Sequence, residues 1–110
     1  MATVSNITID QGATYSEAFI VKDNTGTARD LSEYTARSQM RRSYYTTANT
    51  SFTANITTTA NGHITLSLTS AQTAALKPGR HVYDIEIVKD TTTVERVFEG
   101  IVTVYPEATK

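Results

Sequence analysis

From Leu76 to Tyr105 the chain alternates apolar and polar residues with a period of two, interrupted once by a polar turn at Asp90-Thr91-Thr92-Thr93. Tyr83, Ile85 and Ile87 share one face of the first run while Asp84 and Glu86 share the other. In the second run Phe98, Val102 and Val104 fall on one face together with Gly100. This is the pattern of a long β-hairpin entered at the corner Pro78-Gly79.

Upstream, the same period recurs in shorter runs. Thr3 to Ile9 places Ile7 and Ile9 inward and predicts an edge strand. Ala13 to Asp23 carries Tyr15, Phe19 and Val21 on one side and Ala18 and Ile20 on the other, which predicts a strand covered on both faces in its middle. Asp30-Leu31-Ser32-Glu33 has the spacing of a capped helical turn. Tyr34 to Arg42 sets Ala36, Ser38 and Met40 opposite Thr35, Arg37, Gln39 and Arg41, as in a half-buried strand. Ser43 to Thr50 has no period and predicts a loop. Phe52, Ala54 and Ile56, then the turn Ala60-Asn61-Gly62, then Ile64, Leu66 and Leu68 predict a second hairpin. Thr69-Ser70-Ala71-Gln72 has capping-box spacing ahead of an Ala-rich run that Pro78-Gly79 stops, and so predicts one short helix.

These elements predict an all-β fold: an immunoglobulin-like two-sheet sandwich of about seven strands, with the short helix before the penultimate strand. A small barrel is the structural alternative. Residues 1–110 are expected to form a single domain, large enough to build a core without a metal or disulfide. Cys is absent, and about a fifth of the residues are Thr, whose β-branched side chain suits the wet face of a strand. Ten Lys and Arg against eleven Asp and Glu leave a net charge of -1, with no global pull toward nucleic acid or an anionic membrane. The start of the chain lacks the charged and apolar regions of a secretory signal, which predicts synthesis in the cytoplasm.

Candidate chemistry is sparse. His63 and His81 have no ligand-type residues at metal-binding spacing, and His81 is expected as a packed residue with one hydrogen bond. No nucleophile elbow or phosphate loop is present, so no catalytic, metal or cofactor-binding residue is assigned and no cofactor is expected. Asp84, in the middle of an apolar strand, needs a partner, and Arg37 is expected to supply a cross-strand ion pair. Gly79 and Gly100 are assigned structural roles at a corner and at a possible bulge. If Phe98, Val102 and Val104 face the core, Val97, Ile101 and Tyr105 face out as an apolar strip. Two readings rank equally: one in which a loop or the N-terminal strand covers it or a bulge at Gly100 shifts the register, and one in which it docks another chain or another copy. Tyr44 and Tyr45 are the second interface candidates. They lie beside Arg37, Arg41 and Arg42, a cluster for which a solvated strand end ranks first, a protein contact next and nucleic acid last.

The sequence also resembles a known group. Asp30 to Arg37, Gly62 to Thr69 with Gln72 to Leu76, Gly79 with Tyr83 to Glu86, Glu99 to Val104 and the closing Pro106 to Thr109 are similar to small bacteriophage and prophage structural proteins. Relatives in that group include the N-terminal domains of upper baseplate proteins. The resemblance runs from Ala13 onward and is carried by strand patterns and turns, with no catalytic motif. It implies an immunoglobulin-like component of a virion, made in the host cytoplasm, non-enzymatic, and working by contact with tail, neck, head or baseplate proteins and with its own copies. His81 departs from the aromatic Tyr that is more usual at that corner, and the Tyr44-Tyr45 loop is not placed by the resemblance. A carbohydrate-binding or host-attachment module using the loop tyrosines is the alternative.

Overall fold

The computed structural model describes residues 3–23, 25–43, 45, 49–58 and 61–108. Its elements run β1 (Thr3–Val4), β2 (Ile7–Asp10), β3 (Tyr15–Ile20), β4 (Tyr34–Arg41), β5 (Thr50–Thr58), β6 (His63–Leu68), α1 (Ser70–Ala74), β7 (Gly79–Lys89) and β8 (Thr93–Tyr105). The fold is therefore all-β with one short helix ahead of the penultimate strand. Hydrogen bonding follows the path β1-β8-β7-β4-β5-β6-β3, with β2 also on β8. All neighbours are antiparallel except β1 and β2, which run parallel to β8.

The path is continuous because β5 serves both halves. Its residues Thr50 to Phe52 pair with β4, and Thr53 onward pair with β6. The sheet curls at that point, and its two ends face each other across the core. Phe19 of β3 meets Phe98 of β8 with ring centroids 5.2 Å apart, and Tyr15 meets Phe52 at 5.9 Å. Alternation explains which side chains meet there: Ile7, Ile9, Met40, Ile64, Leu66, Leu68, Tyr83, Ile85, Ile87, Val102 and Val104 are all essentially water-free. Each such aliphatic or aromatic side chain contributes about 1.5–3 kcal/mol relative to exposure.

Three local expectations need correction. Ala18 and Ile20 are exposed, so β3 is covered on one face only. Asp30 does not start a helical turn: its Oδ1 accepts from the Ser32 amide at 2.9 Å, and Glu33 has φ of 71°, which turns the chain straight into β4. The third concerns Val97. Glu86 pairs with Arg96 but Ile85 pairs with Phe98, which leaves Val97 as the extra residue of a β-bulge. The bulge rotates two consecutive side chains inward, and Val97 and Phe98 are 7% and 8% exposed. Val97 therefore does not belong to an outer apolar strip.

The helix forms as its spacing predicts. Thr69 Oγ1 accepts from the Gln72 amide at 3.2 Å while Gln72 Oε1 accepts from the Thr69 amide at 2.8 Å. Gly79 then opens β7 at φ of 116°, a backbone angle that a side chain would strain, beside the Arg42 guanidinium. Gly100 answers a different need. A β-carbon there would lie 2.4 Å from the Ser5 carbonyl oxygen, so its absence lets the N-terminal segment cross β8 closely between β1 and β2. Ser5 is held in that crossing by its amide, which donates to Glu99 O at 2.8 Å, and by the Tyr83 hydroxyl, which donates to its carbonyl.

Candidate binding groove on the outer face of the sheet

The polar half of the alternation on β4, β7 and β8 faces away from the core. It lines an open groove of about 670 Å³, bounded by Arg37, Gln39 and Arg41 of β4, Ser51 of β5, Val82, Asp84 and Glu86 of β7, and Arg96 of β8. Register decides the pairing inside it. Arg37 lies directly opposite Glu86, and its Nε approaches Glu86 Oε1 to 2.7 Å. Asp84 sits instead between Gln39 and Glu99 in the ladders, and its carboxylate meets Arg96 Nε at 3.4 Å. The expected Arg37–Asp84 pair is thus replaced by Arg37–Glu86 and Arg96–Asp84.

Arg96 also reaches Glu99 of its own strand at 3.4 Å, so its guanidinium holds one carboxylate on each strand of the β7–β8 hairpin. Burial holds the Asp84 carboxyl above the usual carboxylate range. The negative charges of Glu86 and Glu99 push in the same direction, and Arg96 and Arg37 oppose them without prevailing. Arg41 donates from Nη2 to Gln39 Oε1 at 3.1 Å, at the end of the groove. Three guanidiniums, of Arg37, Arg41 and Arg96, thus face three carboxylates, of Asp84, Glu86 and Glu99. A face so compensated is suited to a partner that matches alternating charges, and it offers no concentrated field for a polyanion.

Apolar residues border this groove on the β8 side. Ile101 is directly opposite Val82, is 39% exposed, and receives its backbone anchor from Asn6 Oδ1, which accepts from the Ile101 amide at 3.1 Å. Tyr105, on the same face two pleats further along, is 52% exposed. Val4, aligned with Glu99 on the neighbouring β1, is 69% exposed and extends the strip. The structure thus brings Ile101 and Tyr105 onto one outer face with Arg37 and Asp84, while Val97 is in the core. Tyr45 stands apart at 97% exposed, and Tyr44 lies outside the described residues.

Sequence reasoning missed Val4 and Arg96 as members of this face, while the alternation had already set Gln39 beside Arg37. The alternation of β4 and the glutamates of β8 were visible, but the position of β1 depends on a parallel pairing that no short-range pattern marks. His81 is buried, and its Nε2 donates to the Lys77 carbonyl at 2.8 Å, a packed residue with one bond. Among the described residues no group of three or more His, Asp or Glu is placed to hold a metal ion, and no helix is long and apolar enough to cross a membrane.

No family model and no curated protein matches the chain. Among solved structures, the chain is similar to an internalin-like protein of Listeria monocytogenes, at 13% identity and a TM-score of 0.49, over 94% of this chain and 28% of that one. The chain therefore spans little more than a quarter of that protein's length, and the likeness carries no argument about activity.

Proposed function

We propose that this chain is a non-enzymatic structural or assembly protein of a bacteriophage or prophage particle, acting through protein–protein contacts on the outer face of the β4–β7–β8 sheet. The observation that supports contact by this face is the apolar strip Val4, Ile101 and Tyr105 lying beside a charge-compensated groove. An apolar centre with a polar rim is the ordinary anatomy of a protein interface. The virion part of the reading rests on the resemblance of the strand and turn motifs to phage structural proteins. Its partners are then other proteins of the particle together with further copies of this chain, and it requires no cofactor and no membrane.

Quantitative mass spectrometry of particles purified from the encoding phage or induced prophage tests this reading. The chain is expected at a regular copy number, and particles assembled with Ile101→Glu are expected to lack it or carry fewer copies. Absence of the wild-type chain from gently purified particles would remove the virion reading. Full incorporation of Ile101→Glu would remove the assigned face.

A host-attachment module that binds carbohydrate is the second reading, supported by the near-complete exposure of Tyr45. An exposed phenol ring can stack on a sugar face. Glycan-array binding that is lost in Tyr45→Ala would favour it over the first.

A further inference from the structure

β3 is the last strand of the sheet, and β6 is its one strand partner among the described residues. The Val21 amide donates to Gly62 O at 2.9 Å, in continuation of the β3–β6 register, so Tyr15, Glu17 and Phe19 direct their backbone groups at β6. By alternation Ser16, Ala18 and Ile20 direct theirs the other way. The returning segment does not cover them, because Arg29 bonds to Val21 O on the β6 side. The N-terminal strands do not cover them either, because both lie on β8. Among the described residues nothing pairs with this row of three amide donors and three carbonyl acceptors.

This edge carries few of the usual protections. Tyr15 to Ile20 contains no Pro, Lys or Arg, its one charged residue is Glu17 on the face of Tyr15 and Phe19, and its register with β6 has no bulge. The outward side chains Ser16, Ala18 and Ile20 are uncharged and exposed, Ile20 by 43%. An extended strand laid against them must be about six residues long and uncharged where it meets them, and β3 has this composition.

We propose that β3 pairs antiparallel with β3 of a second copy about a two-fold axis through Ala18, joining two sheets into one. In that register Ala18 meets Ala18, Ser16 meets Ile20 and Glu17 meets Phe19 of the other copy. All open groups of the row are satisfied by about six interchain hydrogen bonds. Centring the pair one residue earlier sets Glu17 directly against Glu17, a like-charge contact that disfavours it. A head-to-tail contact with the opposite end of the sheet fits poorly, because there the four residues of β2 are separated from β1 by the break at Ser5-Asn6. The two-fold contact closes on itself and does not propagate. Its area is at the small end for specific interfaces, so the dimer forms at high protein concentration or where copies are held close together. This surface is separate from the Ile101 face.

Single-cysteine cross-linking tests the contact, since the chain has no Cys of its own. Directly opposed residues of a hydrogen-bonded antiparallel pair have Cα atoms about 5.5 Å apart, within disulfide reach. Ala18→Cys is expected to form a covalent dimer on mild oxidation at least tenfold faster than the exposed control Thr35→Cys on β4. In parallel, sedimentation of the wild-type chain is expected to show a concentration-dependent shift that Ala18→Pro abolishes. That substitution removes an amide with no partner in the monomer, so the circular dichroism spectrum should be retained. Equal oxidation rates for the two cysteine variants, with wild-type sedimentation as a monomer at every concentration, would overturn the proposal. Adding Ile101→Glu to Ala18→Cys should leave the cross-link unchanged, which separates this contact from the face assigned above.

Discussion

Arg37 Nε lies 2.7 Å from Glu86 Oε1, the residue directly across from it on β7, and Asp84 two positions away is left to Arg96 at 3.4 Å. The pairing leaves Asp84 the poorer partner in the more crowded place. Its carboxyl is raised above the ordinary value of 3.8 by burial first and by Glu86 and Glu99 after it. Between 3.8 and the raised value the folded chain holds a proton that the unfolded chain has released. Stability from this group is therefore present below pH 3.8 and is lost as pH rises through the raised value. Asp84→Asn mimics the protonated form. It is expected to stabilise the fold at neutral pH by less than about 1 kcal/mol, because water screens this open face, seen as a higher thermal midpoint, and the gain should vanish below the ordinary carboxylate range. A midpoint that falls at neutral pH would show that the Arg96 contact outweighs the crowding.

Two buried phenols set the alkaline limit. Burial is the main cause that pushes Tyr83 from the ordinary 10.0 up to about 12, and burial with the neighbouring Glu17 pushes Tyr15 upward as well. Each holds its proton in the fold after the unfolded chain has lost it, so both contributions are intact below pH 10.0; that of Tyr83 is lost as pH rises through about 12, and that of Tyr15 falls in the same direction. Unfolding by denaturant at a series of alkaline pH values should show stability declining across that window. Tyr83→Phe should make the decline shallower. It should also cost about 0.5–1.5 kcal/mol at neutral pH by removing the hydroxyl that bonds the Ser5 carbonyl. An unchanged alkaline slope in Tyr83→Phe would remove Tyr83 from the account.

Much of the fold was legible because its signals are local. The alternation of Tyr83, Ile85 and Ile87, the turn at Asn61-Gly62 and the Thr69–Gln72 box each need only a few residues to be read, and each appears in the structure. What escaped depends on distant parts of the chain. The inward turn of Val97 follows from a bulge, and the exposure of Ala18 and Ile20 follows from the absence of a covering layer. The choice of Glu86 over Asp84 by Arg37 follows from a ladder register that composition does not encode. Of the candidate site, Ile101, Tyr105, Arg37 and Asp84 were legible as outward residues of regular strands. Val4 joined them only through the placement of β1, and Arg96 only through the bulge.

Two side chains, Thr73 and Gln11, fasten one pole of the molecule. Thr73 of α1 is fully buried, and its Oγ1 accepts from the Gly12 amide at 3.1 Å and donates to the Ala13 carbonyl at 2.8 Å. Beside it Gln11 donates from Nε2 to Leu76 O at 2.9 Å and accepts from the Glu107 amide at 3.0 Å, so the bend after β2, the helix and the C-terminal segment meet there. Thr73→Val preserves the shape but leaves the Gly12 donor and the Ala13 acceptor unpaired, and should cost about 1–3 kcal/mol. Thr73→Ser keeps the hydroxyl and loses one methyl, so it should cost about 0.8 kcal/mol. Denaturant midpoints order the two variants, and hydrogen exchange at the Gly12 amide distinguishes their causes: protection should survive in Thr73→Ser and fall in Thr73→Val. Equal midpoints with equal protection would mean that packing of the helix, and not this hydroxyl, fastens the pole.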